Sequence, residues 1–514
     1  MSWRNVDVPS TCRSIGAGCT ILVAVLAAAA CTRATRPDAL VIQWSAVPIT
    51  LDPHAHNDNA TWALLGNFYD GLVQFTPEMR VEPALARSWQ QTDPTHWRFE
   101  LRGDVAFHSG DPLRAADVVA SFERARRSPE KAIRHHLIGI TSVQAAGDDV
   151  VLVETAGPAP TLLNRLVYLF ILREADAGPE RPVLPNGTGP YRVVEARPGD
   201  SLRAVAVAGW HGAPDFREVV FRFGTSEGEL GKTLTEGRAH MVRALPDDEV
   251  RKLRGNPNIR LVIQPRLTVR LLSVCASAAA GDAAVALADV RVRRAMLLAL
   301  DRERWIREVY TEAGLVTSQY VHPVVFGYDP GVPAVAYNLG EARRLMLEAG
   351  YPSGFAVDLA HSPIQRDRVA VLARDLERLG IRARMVELPW DQLLERARAG
   401  QSPLTFWGWA CATGDASDFL DACVHSIEPE RGYGTDNFSR HRNPATDALI
   451  EAASHELDPA RRLDLLQRAQ RSVLADLPVI PLAMTWDHLA VMPGIALTPR
   501  HDGWLRVAGC RWIR

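Results

Sequence analysis

The sequence predicts an α/β protein of more than one domain, on three observations. The chain has 514 residues, 47% hydrophobic and 23% charged, enough for two or three domains with their own cores. In His96–Arg126 a half that alternates Trp97, Phe99, Leu101 runs into a half with Leu113, Val118, Val119 and Phe122 on one helical face. Segments of these two periods then interleave to the end, with no internal repeat and no low-complexity tract.

The elements follow in order. Arg4 and Arg13 precede an apolar run, Ile15 to Ala30, that ends in four alanines and Cys31. A charged start, a short apolar core and small residues before a cut describe a signal peptide over 1–30, too short and too alanine-rich for a membrane span. Cys31 after small residues resembles a bacterial lipobox, with Ala28 where leucine is usual, and is the expected lipidation site. The alternative is plain secretory cleavage after one of the alanines. A polar tether, 31–38, leads to an expected strand at Ala39–Ser45, the LDPH turn at Leu51–His54 and an expected helix through Ala60–Gly71. The strand and helix of His96–Arg126 come next. Gly187–Tyr191, GTGPY, packs two glycines and a proline into a turn before a pair of strands, with freedom of backbone angle as the expected reason for glycine. Ala288–Trp305 is expected as one amphipathic helix. Tyr337–Phe355 is expected as a helix closed by a left-handed Gly350, with Pro352 preventing continuation. Leu477–Ile495 is apolar and strand-like.

Several function classes drop out. The net charge of −2 gives no nucleic-acid footprint. Only Lys131, Lys232 and Lys252 are lysines among 58 basic residues, which reads as codon bias and not as phosphate recognition. GELGKT at Gly228–Thr233 is not a phosphate loop, because Ser226 stands where the leading glycine belongs. No HExxH occurs, and no catalytic constellation is expected. Cys275, Cys411, Cys423 and Cys510 have no C-x2-C spacing for zinc, and any disulfide pairing among them stays open.

LDPH, WRFELRGDVAFHSGDPL, GTGPY, DVRVRRAMLLALDR, EARRLMLEAGYPSGF, a Trp-Gly-Trp loop and PVIPL occur in this order over most of Ala39–Arg514. In that series the chain resembles the bacterial extracellular solute-binding proteins of family 5, the peptide- and nickel-class binding components of ABC importers. The resemblance implies a class II periplasmic binding protein fold, two hinged α/β lobes plus an extra N-terminal domain. The expected division is 39–72, 188–287 and 480–514 for lobe I, 73–187 for the extra domain and 288–479 for lobe II. It further implies a monomer without cofactor, lipid-anchored at the periplasmic or cell-surface side, that delivers an oligopeptide-like solute to membrane permease subunits. The same fold used as a ligand sensor, or a secreted hydrolase, are the other readings.

The resemblance places the ligand on Leu404–Ser426. Gly408, Ala410 and Cys411 would offer backbone to an added strand, with Trp407 or Trp409 as wall and Trp486 nearby. Either tryptophan alone could equally be core. Asn57 and Asp58 fall where relatives touch ligand just beyond the LDP turn. Peptide binders of the family carry an aspartate three residues after the tryptophan, where this chain has Ala412. Either Asp58 or Asp415 substitutes for it, or the ligand lacks a free amine. Asp415, Asp418 and Asp421 lack calcium-loop spacing and read as acids opening a helix. His54 and His56 read as loop surface, and His135–His136 as a polar doublet without metal partners.

Overall fold

The computed structural model describes residues 37–513 apart from 45, 57, 179–183 and 211. The expected leader, Cys31, most of the tether and Asn57 lie outside the described residues.

Two large sheets organise the chain. The first has seven strands in the order Arg260–Gln264, Asp487–Val491, Met241–Leu245, Ala39–Trp44, Glu218–Arg222, Ser201–Ala206, Tyr191–Arg197. Ala39–Trp44 lies at its centre, parallel to both neighbours. Leu40, Ile42 and Trp44 share one buried face of this strand, and Gln43 is buried on the other. The second has six strands in the order Gly314–Val316, Val479–Thr485, Thr268–Val274, Leu404–Ala410, Ala356–His361, Arg382–Glu387. A four-stranded antiparallel sheet, Ala86–Gln91, His96–Leu101, Val150–Thr155, Ile140–Ala145, forms the core of the extra domain with the helix Ala115–Arg126 over it.

The chain passes from the first sheet to the second at residues 265–267 and returns at Trp486. Those passages correct the expected boundaries at 287 and 480, since Thr268–Val274 and Val479–Thr485 both pair within the second sheet. The apolar segment Leu477–Ile495 is thus two strands in two sheets, not one.

Three other elements differ from expectation. Ala288–Trp305 is broken: helix Val290–Ala299 ends at an extended Leu300, and Asp301 caps a second helix, Arg302–Val309, by accepting from the Arg304 N–H at 3.1 Å. The early helix runs only Asn59–Leu65. GTGPY is a site of close approach and not of unusual angle. Neither of its glycines has positive φ, but a Cβ on Gly189 would lie 2.6 Å from the Phe68 carbonyl carbon, and one on Gly187 would overlap the Phe68 oxygen. Gly350 does follow its helix with φ +85, as its sequence context suggests.

Candidate functional site

The site is built on the end of Leu404–Ala410. On one side this strand pairs with Thr268–Val274 along its whole length, Leu404 with Val274 through Ala410 with Thr268. On the other it pairs with Ala356–His361 only at Leu404 and Thr405. Phe406–Ala410 therefore present a strand edge without a partner strand on that side. Such an edge is a row of backbone donors and acceptors ready to take an extended chain.

The two tryptophans separate. Trp407 is 4% exposed, packs on Phe438 at 4.6 Å and donates from Nε1 to Ser273 Oγ at 2.9 Å, which makes it core and not a pocket wall. Trp409 is half-buried, its ring 5.9 Å from Trp407 and 6.5 Å from Phe419. Its indole N–H faces the Asp418 carboxylate without reaching hydrogen-bond geometry. The Arg270 guanidinium lies against Gly408, 2.8 Å from where a Cβ would sit. Ala410 is exposed.

Beyond the strand, Cys411 is buried and turns its thiol onto the Asp415 carbonyl at 2.8 Å. All four described cysteines are free. Ala412 is half-buried, and its carbonyl accepts from Tyr168 Oη of the extra domain at 2.7 Å. Asn164 of the same domain donates to the Thr413 carbonyl at 2.7 Å. A groove of about 780 Å³ between the extra domain and the second lobe passes beneath this loop, between Met79, Trp97, Phe326 and Tyr328, and reaches Gly414 and Asp415.

Both carboxylates expected to substitute for an aspartate at 412 are committed elsewhere. Asp58 caps Asn59–Leu65, accepting from Thr61 N at 2.6 Å and Thr61 Oγ1 at 2.7 Å. Asp415 holds Arg462 bidentately at 2.6 and 2.8 Å and accepts from Ser417 N, so beyond opening the turn it is half of a buried ion pair. Asp418, which sequence reasoning left among the helix-opening acids, lies nearest the loop. It accepts from Thr413 N at 3.1 Å and Thr413 Oγ1 at 2.9 Å, and burial pushes its carboxyl up to about 6 despite those bonds. Burial also raises Asp421 well above the usual carboxylate range, with Asp415 and Asp418 adding to it.

The histidines near the LDP turn are not loop surface. His54 and His56 are each 2% exposed, and His54 Nε2 lies 2.9 Å from the Phe170 carbonyl. His56 packs on Trp62, Trp62 on His136 and Tyr168, and His136 stacks on Tyr168 at 5.1 Å and 13°. This aromatic cluster backs the Tyr168–Ala412 contact. Burial lowers His54 and His56 to about 4 and His136 to about 3.

The two passages between the sheets carry charge. Arg266, on the first, pairs with Asp487, just after the second, at 2.6 Å. Trp486, half-buried between them, leaves its indole nitrogen without a hydrogen bond. Burial would raise Asp487, but Arg266, Arg243 and Arg270 together hold it below the usual carboxylate range.

A family model described as bacterial extracellular solute-binding proteins, family 5, matches residues 80–429. The dipeptide-binding protein of Escherichia coli K12 is 26% identical over 456 residues, 81% of this chain and 83% of that protein. Heme-binding protein A of Haemophilus influenzae is 26% identical over 469 residues, 83% of each chain. The structure of HbpA2 from Haemophilus parasuis superposes with a TM-score of 0.80 at 24% identity, over 93% of this chain and all of that one, and so shares the fold of two lobes. With the match covering most of its length, this chain belongs to the bacterial extracellular solute-binding proteins of family 5.

Proposed function

We propose that the chain captures a small peptide-like solute outside the cytoplasm and delivers it to an ABC importer, closing its two lobes about the passages at 265–267 and Trp486. The observation that carries this reading is the open edge at Phe406–Ala410, where an extended solute gains main-chain hydrogen bonds with little demand on its side chains. Gly408, Trp409, Ala410 and Ala412 are the residues assigned to it. Membership of family 5 supports the reading, as do relatives whose names record dipeptide and heme binding. Lipid anchoring through Cys31, a monomeric state and partnership with membrane permease subunits belong to the same proposal.

Native mass spectrometry of protein purified under mild conditions, with small-angle scattering before and after removal of any retained solute, tests the core of it. A retained small molecule and a larger radius once it is removed are expected. Conversion of a bound peptide to a product would overturn the reading in favour of an enzyme. For the anchor, the full chain and its Cys31→Ser variant are fractionated from a bacterial host; equal release of both into the aqueous fraction would refute lipidation.

A further inference from the structure

Four arginines converge near Asp487 where the two lobes meet, on the paired side of Leu404–Ala410, and two of them have no carboxylate partner among the described residues. Arg266 is paired with Asp487 at 2.6 Å, and Arg368 with Asp247 across the lobes at 3.0 Å. Arg243, from the strand Met241–Leu245 of the first sheet, is 5% exposed. It lies over the Trp44 ring at 4.8 Å and donates to the Gly503 carbonyl at 3.1 Å. Arg270, from the second sheet, donates through Nε to Thr485 Oγ1 at 3.2 Å and lies against Gly408 and the Tyr310 ring. The buried Tyr310 hydroxyl, between Arg270 and Arg368, also lacks a hydrogen bond.

Asp487 is thus one carboxylate among three guanidiniums. The two further carboxylates whose fields reach Arg243 and Arg266 are already engaged, Asp58 as a helix cap and Asp502 with Arg500 at 2.6 Å. A buried guanidinium without a counter-charge is costly, and it becomes favourable when an anion completes it. Guanidinium presents a planar fork that suits carboxylate and phosphate.

We propose that the solute carries an oxyanion, a carboxylate or a phosphate, that seats between Arg270 of one lobe and Arg243 of the other while its backbone lies on Phe406–Ala410. This rests on the solute-binding reading and names the charge of the solute. It also gives the lobes a reason to close, because the anion is shared between them.

Four probes are titrated by calorimetry into protein freed of retained solute: N-acetyl-Glu-Glu, a bis-phosphoserine peptide blocked at both ends, free-amine Glu-Glu, and N-acetyl-Gln-Gln amide. At least one anionic probe should bind about tenfold or more tighter than the neutral amide, and the carboxylate and phosphate arms tell the two sources apart. Arg270→Gln and Arg243→Gln should each erase most of that preference, with Arg270→Lys keeping part of it. Arg270 is half-buried, so its variant stays informative if Arg243→Gln misfolds. Equal or tighter binding of the neutral amide, or a preference unchanged in both variants, would overturn the anion and leave solute capture standing. Failure of all four probes, with no solute retained on purification, would overturn both.

Discussion

Trp409 and Trp407 stand two residues apart and should respond differently to truncation. Trp409→Ala is expected to cost about 2–4 kcal/mol in binding, as an aromatic anchor does, with the thermal midpoint little changed. Trp407→Ala removes a core side chain and is expected to cost about 3–5 kcal/mol in folding. Calorimetry and denaturant titration on both variants check the pair. A Trp409→Ala protein that binds normally would remove Trp409 from the site. Ala412 makes a second prediction. Its carbonyl is held by Tyr168, so Ala412→Asp adds a carboxylate to a loop already fixed in place. The variant should gain preference for a free-amine peptide over its acetylated form, by about 1.5–3 kcal/mol for a charge-assisted bond. A parent protein that already prefers the free amine would point to Asp418, whose carboxyl beside Thr413 is the nearest to that loop.

The strand Leu404–Ala410 has one satisfied side and one side that is open past Thr405. If solute adds to the open side, amide hydrogen exchange within Phe406–Ala410 should slow on binding, whereas Thr268–Val274, already paired on both sides, should change little. Unchanged exchange across Phe406–Ala410 under saturating solute would mean that binding uses side chains alone. The broken helix gives a separate check on how local chemistry sets an element. Asp301 caps Arg302–Val309, so Asp301→Ala should cost about 1 kcal/mol in stability by denaturant titration.

Across the molecule, the His54, His56 and His136 group ties the extra domain to the first lobe and sets an acid limit. Their folded pKa values of about 4, 4 and 3 lie below the unfolded value near 6.5. A depressed pKa means the folded state binds fewer protons than the unfolded state. Their contribution is therefore fully present above about pH 6.5 and is lost as pH falls toward about 4. Asp418, raised to about 6, has the opposite sign: its penalty on the folded state grows as pH climbs from about 4 through 6. The urea midpoint should fall between pH 6.5 and 4.5. His136→Phe, which keeps the stack on Tyr168, should show a shallower fall, and an identical slope would remove His136 from the acid response.

Much of the architecture was legible because it rests on neighbours in sequence. The alternation of Trp97, Phe99 and Leu101 and the position of Gly350 are local, and the order of motifs carried the family. The motif around Trp409 singled out Leu404–Ala410 by resemblance, but period-two alternation puts Trp407 and Trp409 on the same face. Only the bond to Ser273 and the packing on Phe438 separate core from wall. The arginine group had no signal in the chain: Arg243, Arg270 and Asp487 come from two sheets and Arg266 from the passage between them, and nothing in spacing says that the chain crosses at 265–267 and at Trp486. The same holds for Asp415 and Arg462, and for Tyr168 and Ala412, 244 residues apart. Local sequence sets which backbone conformations and faces are favourable. Which charges are left over, and which strand edge stays open, depends on long-range pairing, so the likeness to solute-binding proteins could be read directly while the arginine group emerged only from the assembled lobes.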